Sequence, residues 1–402
     1  MISILSRSAY ILLFPFIFFY SSGVAAGVIP SVIGGGHGFI LSAFGVLLAP
    51  YALRLMRHLT GWGIGYALCF LAFILIACAQ VFFSSGQYAG AAKAQWVSVI
   101  ASLVLLLPVG AMFYRYGADS SKAIQVLLLA ILATVVLNIN VSSMMYAFGV
   151  NDSDSALSYQ GLARSAAYTA LAAIAFSFGQ RKELAFFLMG AVSIFFIGAR
   201  SELVAYMLLL PIICYLQYKN GGGRKILGVG VLVMGGIIFA GTAWIDQIST
   251  SRQFQLFDIG NSTSMQARNQ LSESGWEGIA GSPFVGDFGG HVIYGSSGGY
   301  MHNAFSAWRQ LGMIGFFLYL VLNLAPLAHL LSRLLKRPRE VQGQIKYLLY
   351  LSVFNAALVA AVKPVFWVFP AFLWGAYLSF LIAEKTPSRS ADTSVAGSTG
   401  GG

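Results

Sequence analysis

Charge is scarce in this chain. Asp, Glu, Lys and Arg make up 9% of its 402 residues, against 58% hydrophobic residues and a mean hydropathy of +0.76. A soluble domain carries about 25% charged residues. This chain has too few to cover a water-facing surface, so lipid must be its solvent. Cysteine is nearly absent: Cys69, Cys78 and Cys214 all lie inside apolar runs. They are too few for a disulfide framework and lack metal-ligand spacing, so they read as small buried hydrophobes. Acidic residues are outnumbered 13 to 24 by basic ones, for a net charge of +11. Those basic residues fall in short segments between apolar runs and form no basic arm or helix face, so nucleic acid is not an expected partner. Several chemical signatures are missing too. No Gly-rich phosphate loop with Lys, no His-Glu-x-x-His and no Asp-x-Asp pair after a strand is present, and Asn151-Asp-Ser-Asp154 offers only a lone loop pair of carboxylates. Neither a cofactor nor a metal is expected.

What the chain has in quantity is apolar runs. They are continuous and about 20 residues long, enough to cross about 30 Å of hydrocarbon as helices, and they do not alternate as the strands of a barrel would. The expected fold is therefore all-α, a polytopic integral membrane protein of about twelve spans. These lie near 9–28, 34–53, 62–84, 95–114, 123–146, 163–179, 184–198, 201–217, 226–244, 304–331, 346–362 and 365–383. The first run also resembles a signal peptide, with Arg7 before it and small residues from Ser22 to Gly27; it is read as a retained helix. With the N-terminus inside, seventeen of the 24 basic residues fall on the cytoplasmic side, as the positive-inside rule requires. Both termini are then cytoplasmic, and the expected location is an inner (cytoplasmic) membrane. Residues 1–385 form one membrane domain, and 386–402, all but devoid of apolar residues, form a disordered cytoplasmic tail. One large outer loop, about 246–302, lies between the ninth and tenth spans, with a short helix expected over Ser264 to Ile279. A polar loop of that length is a functional candidate.

The seven basic residues on the outer side, Lys93, Arg164, Arg200, Arg252, Arg268, Arg309 and Lys363, stand against the orientation rule. Charge near the bilayer marks function by default. Arg200 occupies a very short outer connection, Phe196-Ile-Gly-Ala-Arg-Ser-Glu202. Arg164 starts the helix after the loop Asn151 to Gln160, and Arg268 sits in the large loop. Planar guanidinium forks on one face suit a phosphate or diphosphate; the plainer alternative is pairing with a local acid such as Glu202, Asp258 or Glu273, or with lipid phosphate. His302 follows Gly298-Gly-Tyr-Met301 and opens the next apolar run. A histidine there is suited to general-base work, or it merely caps the helix. His291 and Tyr294 are weaker candidates in the same glycine-rich stretch, and His37, His58 and His329 read as structural or cytoplasmic.

The order of these elements is distinctive. An Arg-Ser pair, Arg200-Ser201, closes a short outer turn. A long outer loop then carries Arg268 upstream of Gly281-Ser-Pro-Phe-Val-Gly286. A His-Asn pair, His302-Asn303, opens a helix with Gly312 and Gly315 beyond it. This arrangement resembles the superfamily of O-antigen ligases and O-antigen polymerases, bacterial envelope glycosyltransferases. The motifs cover roughly residues 158 to 330, and the topology covers the whole chain. The resemblance implies transfer of an undecaprenyl-diphosphate-linked glycan to an acceptor hydroxyl at the outer face, without metal or nucleotide sugar. The acceptor is another lipid-linked repeat in a polymerase, the favoured reading, or lipid A-core in a ligase. It further implies Arg200 and Arg268 as diphosphate-binding residues and His302 as the residue that activates the acceptor; Arg164, a candidate from its own position, is counted with the diphosphate-binding set. Asn303, Tyr300, His291 and Arg252 are in support. Membrane lipid, a chain-length regulator and a flippase are the implied partners. One spacing departs from the pattern. Gly312 stands ten residues after His302, one fewer than the usual form, which turns the helix face by about 100°. A transporter or flippase of lipid-linked oligosaccharide is the rival class. Such proteins show repeated halves and charge near mid-membrane, and neither is evident here.

Overall fold

The computed structural model describes residues 1–30, 37–85, 89–140, 145–147, 159–177, 179–221, 263–294 and 299–385. The expected ninth span, the Asn151–Asp154 pair, Arg252 and the tail 386–402 lie outside the described residues. Among the described residues the fold is 83% helical with almost no sheet, an all-α architecture. In chain order the helices are α1 (Ile2–Ala25), α2 (His37–Met56), α3 (Trp62–Phe83), α4 (Ala89–Tyr116) and α5 (Ser121–Leu137). They continue with α6 (Tyr159–Ala175), α7 (Gln180–Ile197), α8 (Arg200–Met207) and α9 (Leu209–Lys219). The last are α10 (Thr263–Gly281), α11 (Phe305–Lys336), α12 (Gly343–Ala361) and α13 (Pro370–Lys385).

Among the described residues seven stretches are long and apolar enough to cross a membrane: α1, α2, α3, α4 with α5, α8 with α9, α11 and α12. Twelve spans are not established by them. The stretch Ala89–Leu137 is 49 residues long, well over the roughly 20 needed for one crossing, and a 3-10 turn at Gly117–Ser120 divides it. α6 and α13 are shorter, with 17 and 16 residues, but every residue from Ser165 to Ala175 and from Pro370 to Ile382 is buried. These two helices form the centre of the bundle. α2 and α3 form its rim, with only 22% and 17% of their apolar windows buried. Helices that leave Phe39, Val46, Leu68, Leu71 and Leu75 exposed present a surface that water would reject and hydrocarbon accepts.

Two boundaries differ from the sequence expectation. The apolar run read as 123–146 ends as helix at Leu137. Asn138 turns its side chain back onto the Thr134 carbonyl (2.8 Å), and a two-stranded hairpin pairs Ile139 with Tyr146. The run read as 365–383 becomes helical only at Pro370, because Pro364 to Phe369 make a turn, with the Trp367 N–H donating to the Pro364 carbonyl (2.9 Å). Packing at the centre depends on small residues. α13 lies along α4 so closely that Gly110 meets the Phe372 carbonyl and Gly375 meets that of Leu107. A side chain at either position would push the backbones apart.

Candidate active site

Three helices and two connecting segments meet at one end of the bundle around a cavity of about 190 Å³. α6 contributes Gln160 and Arg164 from its first turns. α8 contributes Ser201 and Glu202, placed there by a two-residue turn, Gly198 and Ala199, after α7. α10, which occupies the stretch expected to be helical in the outer loop, brings Arg268. The segment before α11 brings Tyr300 and His302, and the α12–α13 connection brings Lys363, Phe366 and Trp367.

The polar groups are tightly organised. The Lys363 ammonium is 2.6 Å from Glu202 Oε1 and donates to Gln160 Oε1 at 2.9 Å. The Ser201 hydroxyl donates to the other Glu202 oxygen at 2.8 Å. Glu202 is 1% exposed and Lys363 7%. A buried carboxylate and ammonium are tolerated only when paired and hydrogen-bonded in this way. The Arg164 guanidinium lies 3.9 Å from the centroid of the Phe369 ring, a cation–π contact that fixes its plane. Among the described residues neither Arg164 nor Arg268 forms an ion pair. The cavity is thus lined by three cations, Arg164, Arg268 and Lys363, and one carboxylate, Glu202, which leaves a net charge of +2.

His302 sits among these charges outside the helix. Burial, then Arg268 and Lys363, lower its pKa from 6.5 to about 4. At neutral pH the imidazole is uncharged and can accept a proton. Its neighbour Asn303 holds the start of α11: the Phe305 N–H donates to Asn303 Oδ1 (3.1 Å) and the Ser306 hydroxyl donates to the Asn303 carbonyl (2.7 Å). The same hydroxyl accepts the Val365 N–H at 2.7 Å, so the helix start is tied to the connection that carries Lys363.

Behind this site α11 is broken. Gly312 has φ 71° and ψ −177°, a region open essentially to glycine alone. The stretch 283–287 is laid into the break. The Pro283 carbonyl accepts both the Met313 N–H (3.0 Å) and the Trp308 indole N–H (2.8 Å), while the Asp287 N–H donates to the Arg309 carbonyl. The backbone groups freed by the kink are satisfied by the loop, as buried polar groups require. Arg309, 3% exposed, pairs with Asp287 at 3.2 Å.

Of the residues singled out in the sequence, Arg164, Arg268, Tyr300 and His302 come together in the cavity. Asn303 supports them by accepting hydrogen bonds from Phe305 and Ser306 just before α11. Arg200 opens α8, one residue before Ser201, and is not among the residues lining the cavity. His291 is fully buried and does not line the cavity, but its ring packs on Tyr300 and Phe366, which do, with Nε2 3.1 Å from Gln95 Oε1 and Nδ1 3.1 Å from Gln310 Nε2. With both ring nitrogens occupied, it backs the cavity wall. Glu202, Gln160 and Ser201 were not singled out as site residues. Lys363 was visible only as one of seven outer basic residues. Its position just before Pro364, at the end of an apolar run, was the available signal. No protein-family model matches the chain, and no curated protein is significantly similar to it.

Proposed function

We propose that this protein is a twelve-span glycosyltransferase of the O-antigen polymerase type, acting at the outer face of a bacterial inner membrane. It transfers a glycan from undecaprenyl diphosphate to a hydroxyl of an acceptor glycan. The observation that carries this reading is the convergence of Arg164, Arg268 and Lys363 with an uncharged His302 in one cavity. A diphosphate held by three cations and an acceptor hydroxyl beside a neutral imidazole are the two requirements of the reaction. At about 190 Å³ the cavity is smaller than the usual ligand pocket of about 300–1,000 Å³. It suits a diphosphate and the first sugar, with the rest of the glycan and the polyprenyl chain outside.

In the reaction the acceptor oxygen forms a bond to the anomeric carbon as the bond from that carbon to the diphosphate oxygen breaks. The diphosphate departs with the electron pair, and the acceptor proton passes to His302. Arg164, Arg268 and Lys363 stabilise the charge that grows on the leaving diphosphate. Tyr300, Phe366 and Trp367 supply aromatic faces for the first sugar. Arg200 would join the site only through a contact that forms with donor bound.

The test is in-vitro transfer by purified protein from an undecaprenyl-diphosphate-linked glycan, with either more lipid-linked repeats or lipid A-core as acceptor. Chain growth with the first acceptor is expected. His302→Ala and Arg268→Ala should each reduce turnover by about 10² or more with folding intact, the scale of losing one transition-state contact. Product with lipid A-core alone would make the protein a ligase. No transfer, with movement of the lipid-linked glycan between leaflets, would replace the enzyme by a transporter.

A further inference from the structure

Lys363 and Glu202 neutralise each other inside a site that is otherwise wholly cationic. A site needing only to grip a diphosphate would do better without Glu202. Yet the carboxylate is 1% exposed, 2.6 Å from the ammonium, and held at its second oxygen by Ser201. Gln160 accepts a further hydrogen bond from Lys363, so the ammonium is fixed from α6 and α8 together. The carboxylate offsets the ammonium, and the lining charge stands at +2.

That value separates donor from product. A glycan-linked diphosphate is a diester and carries two negative charges. Once the sugar leaves, the diphosphate is a monoester, whose terminal phosphate ionises again with a pKa of about 6, so above neutral pH it carries about three. Resting on the function proposed above, we propose that Glu202 is a positioning and charge-setting residue. Through Lys363 it matches the site to the donor diester and keeps the product monoester from being held too tightly to leave.

The measurement is binding of two probes to the full-length protein at pH 8, farnesyl diphosphate and its terminal methyl diester. They differ by one negative charge. One pair of unit charges about 10 Å apart, at an effective dielectric constant of about 40, is worth about a factor of four. Glu202→Gln, with a lining of +3, is expected to raise the monoester-to-diester affinity ratio about fourfold. Lys363→Met, at +1, should lower it by a similar factor. The double variant Glu202→Gln with Lys363→Met returns to +2 and should return the ratio to that of wild type. The double variant leaves no unpaired buried charge, so comparing it with wild type and Glu202→Gln decides the question even if Lys363→Met does not fold. A ratio that stays constant while both affinities change would make the pair structural and overturn the inference alone. If wild type binds neither probe, the diphosphate site itself is wrong and the proposed function falls with it.

Discussion

His302 is uncharged because three influences act on it together: burial, the Arg268 guanidinium on α10, and the Lys363 ammonium on the α12–α13 connection. Arg164 on α6, Glu202 on α8 and the nearby Tyr300 ring complete the groups around the cavity. A donor diphosphate would change this balance. Its negative charges oppose those of Arg268 and Lys363, so the imidazole pKa must rise from about 4 when the donor binds. The free enzyme's groups govern kcat/KM and those of the complex govern kcat. The acid limb of kcat is therefore expected at higher pH than that of kcat/KM. Stability follows the same residue. A folded pKa below the unfolded value of 6.5 means that the unfolded chain binds the proton more readily. The stability contribution is complete above about pH 6.5 and declines as pH falls toward 4. Thermal unfolding of wild type should lose ground to His302→Gln across that window. Coincident acid limbs in kcat and kcat/KM, or parallel unfolding curves, would count against an imidazole set by these cations.

At the scale of elements the site depends on an interlock between the broken helix α11 and the stretch 283–287. A Cβ at Gly312 would run into the Phe284 carbonyl, and φ 71° is strained for any L side chain. Gly312→Ala is expected to cost about 1–3 kcal/mol, measured by thermal unfolding in detergent. It should also loosen the loop, so that protease cuts at the exposed Phe284 and Val285 sooner than in wild type. Unchanged cleavage would mean that the interlock is not what holds the loop. Parts of this element were legible beforehand. The helix over Ser264 to Ile279, the proximity in sequence of Gly281–Gly286 to Gly312, and the His302-Asn303 helix start could all be read from residue order. The interlock could not. It runs through backbone carbonyls and one indole N–H across some 25 positions, and backbone bonds leave no periodicity in a sequence. The glycine spacing predicts only a turn of the helix face by about 100°, whereas the structure puts a kink at Gly312 that admits the loop. Lys363 and Glu202 lie far apart in the chain, and their pairing depends on α6, α8 and α12 reaching the same end of the bundle, which hydropathy alone does not fix.

The whole molecule has two chemically different ends. α11 runs from Phe305 beside the cavity to Lys336, and α12 returns from Gly343 to Ala361, just before Lys363. At the far end from the cavity lie Arg333, Lys336, Arg337, Arg339 and Lys346. Three of them pair with acids there: Arg333 with Glu384 and Glu340, Arg337 with Glu340, and Lys346 with Glu183 at 3.3 Å. That end holds the density of Lys and Arg that cytoplasmic loops retain, whereas the cations at the cavity end are drawn into a site. If the chain inserts as this distribution dictates, the cavity faces outward. Single cysteines decide it, introduced into a background in which Cys69, Cys78 and Cys214 are replaced by Ala. Phe284, 70% exposed in the loop packed on the cavity-end part of α11 at Gly312, and Arg337, whose side chain is 70% exposed at the other end, are suitable positions. A membrane-impermeant maleimide applied to intact spheroplasts should label Phe284→Cys and reach Arg337→Cys only after lysis. The reverse pattern would turn the cavity toward the cytoplasm, where a donor presented at the outer leaflet could not reach it, and an outer-face glycosyltransferase would no longer be tenable.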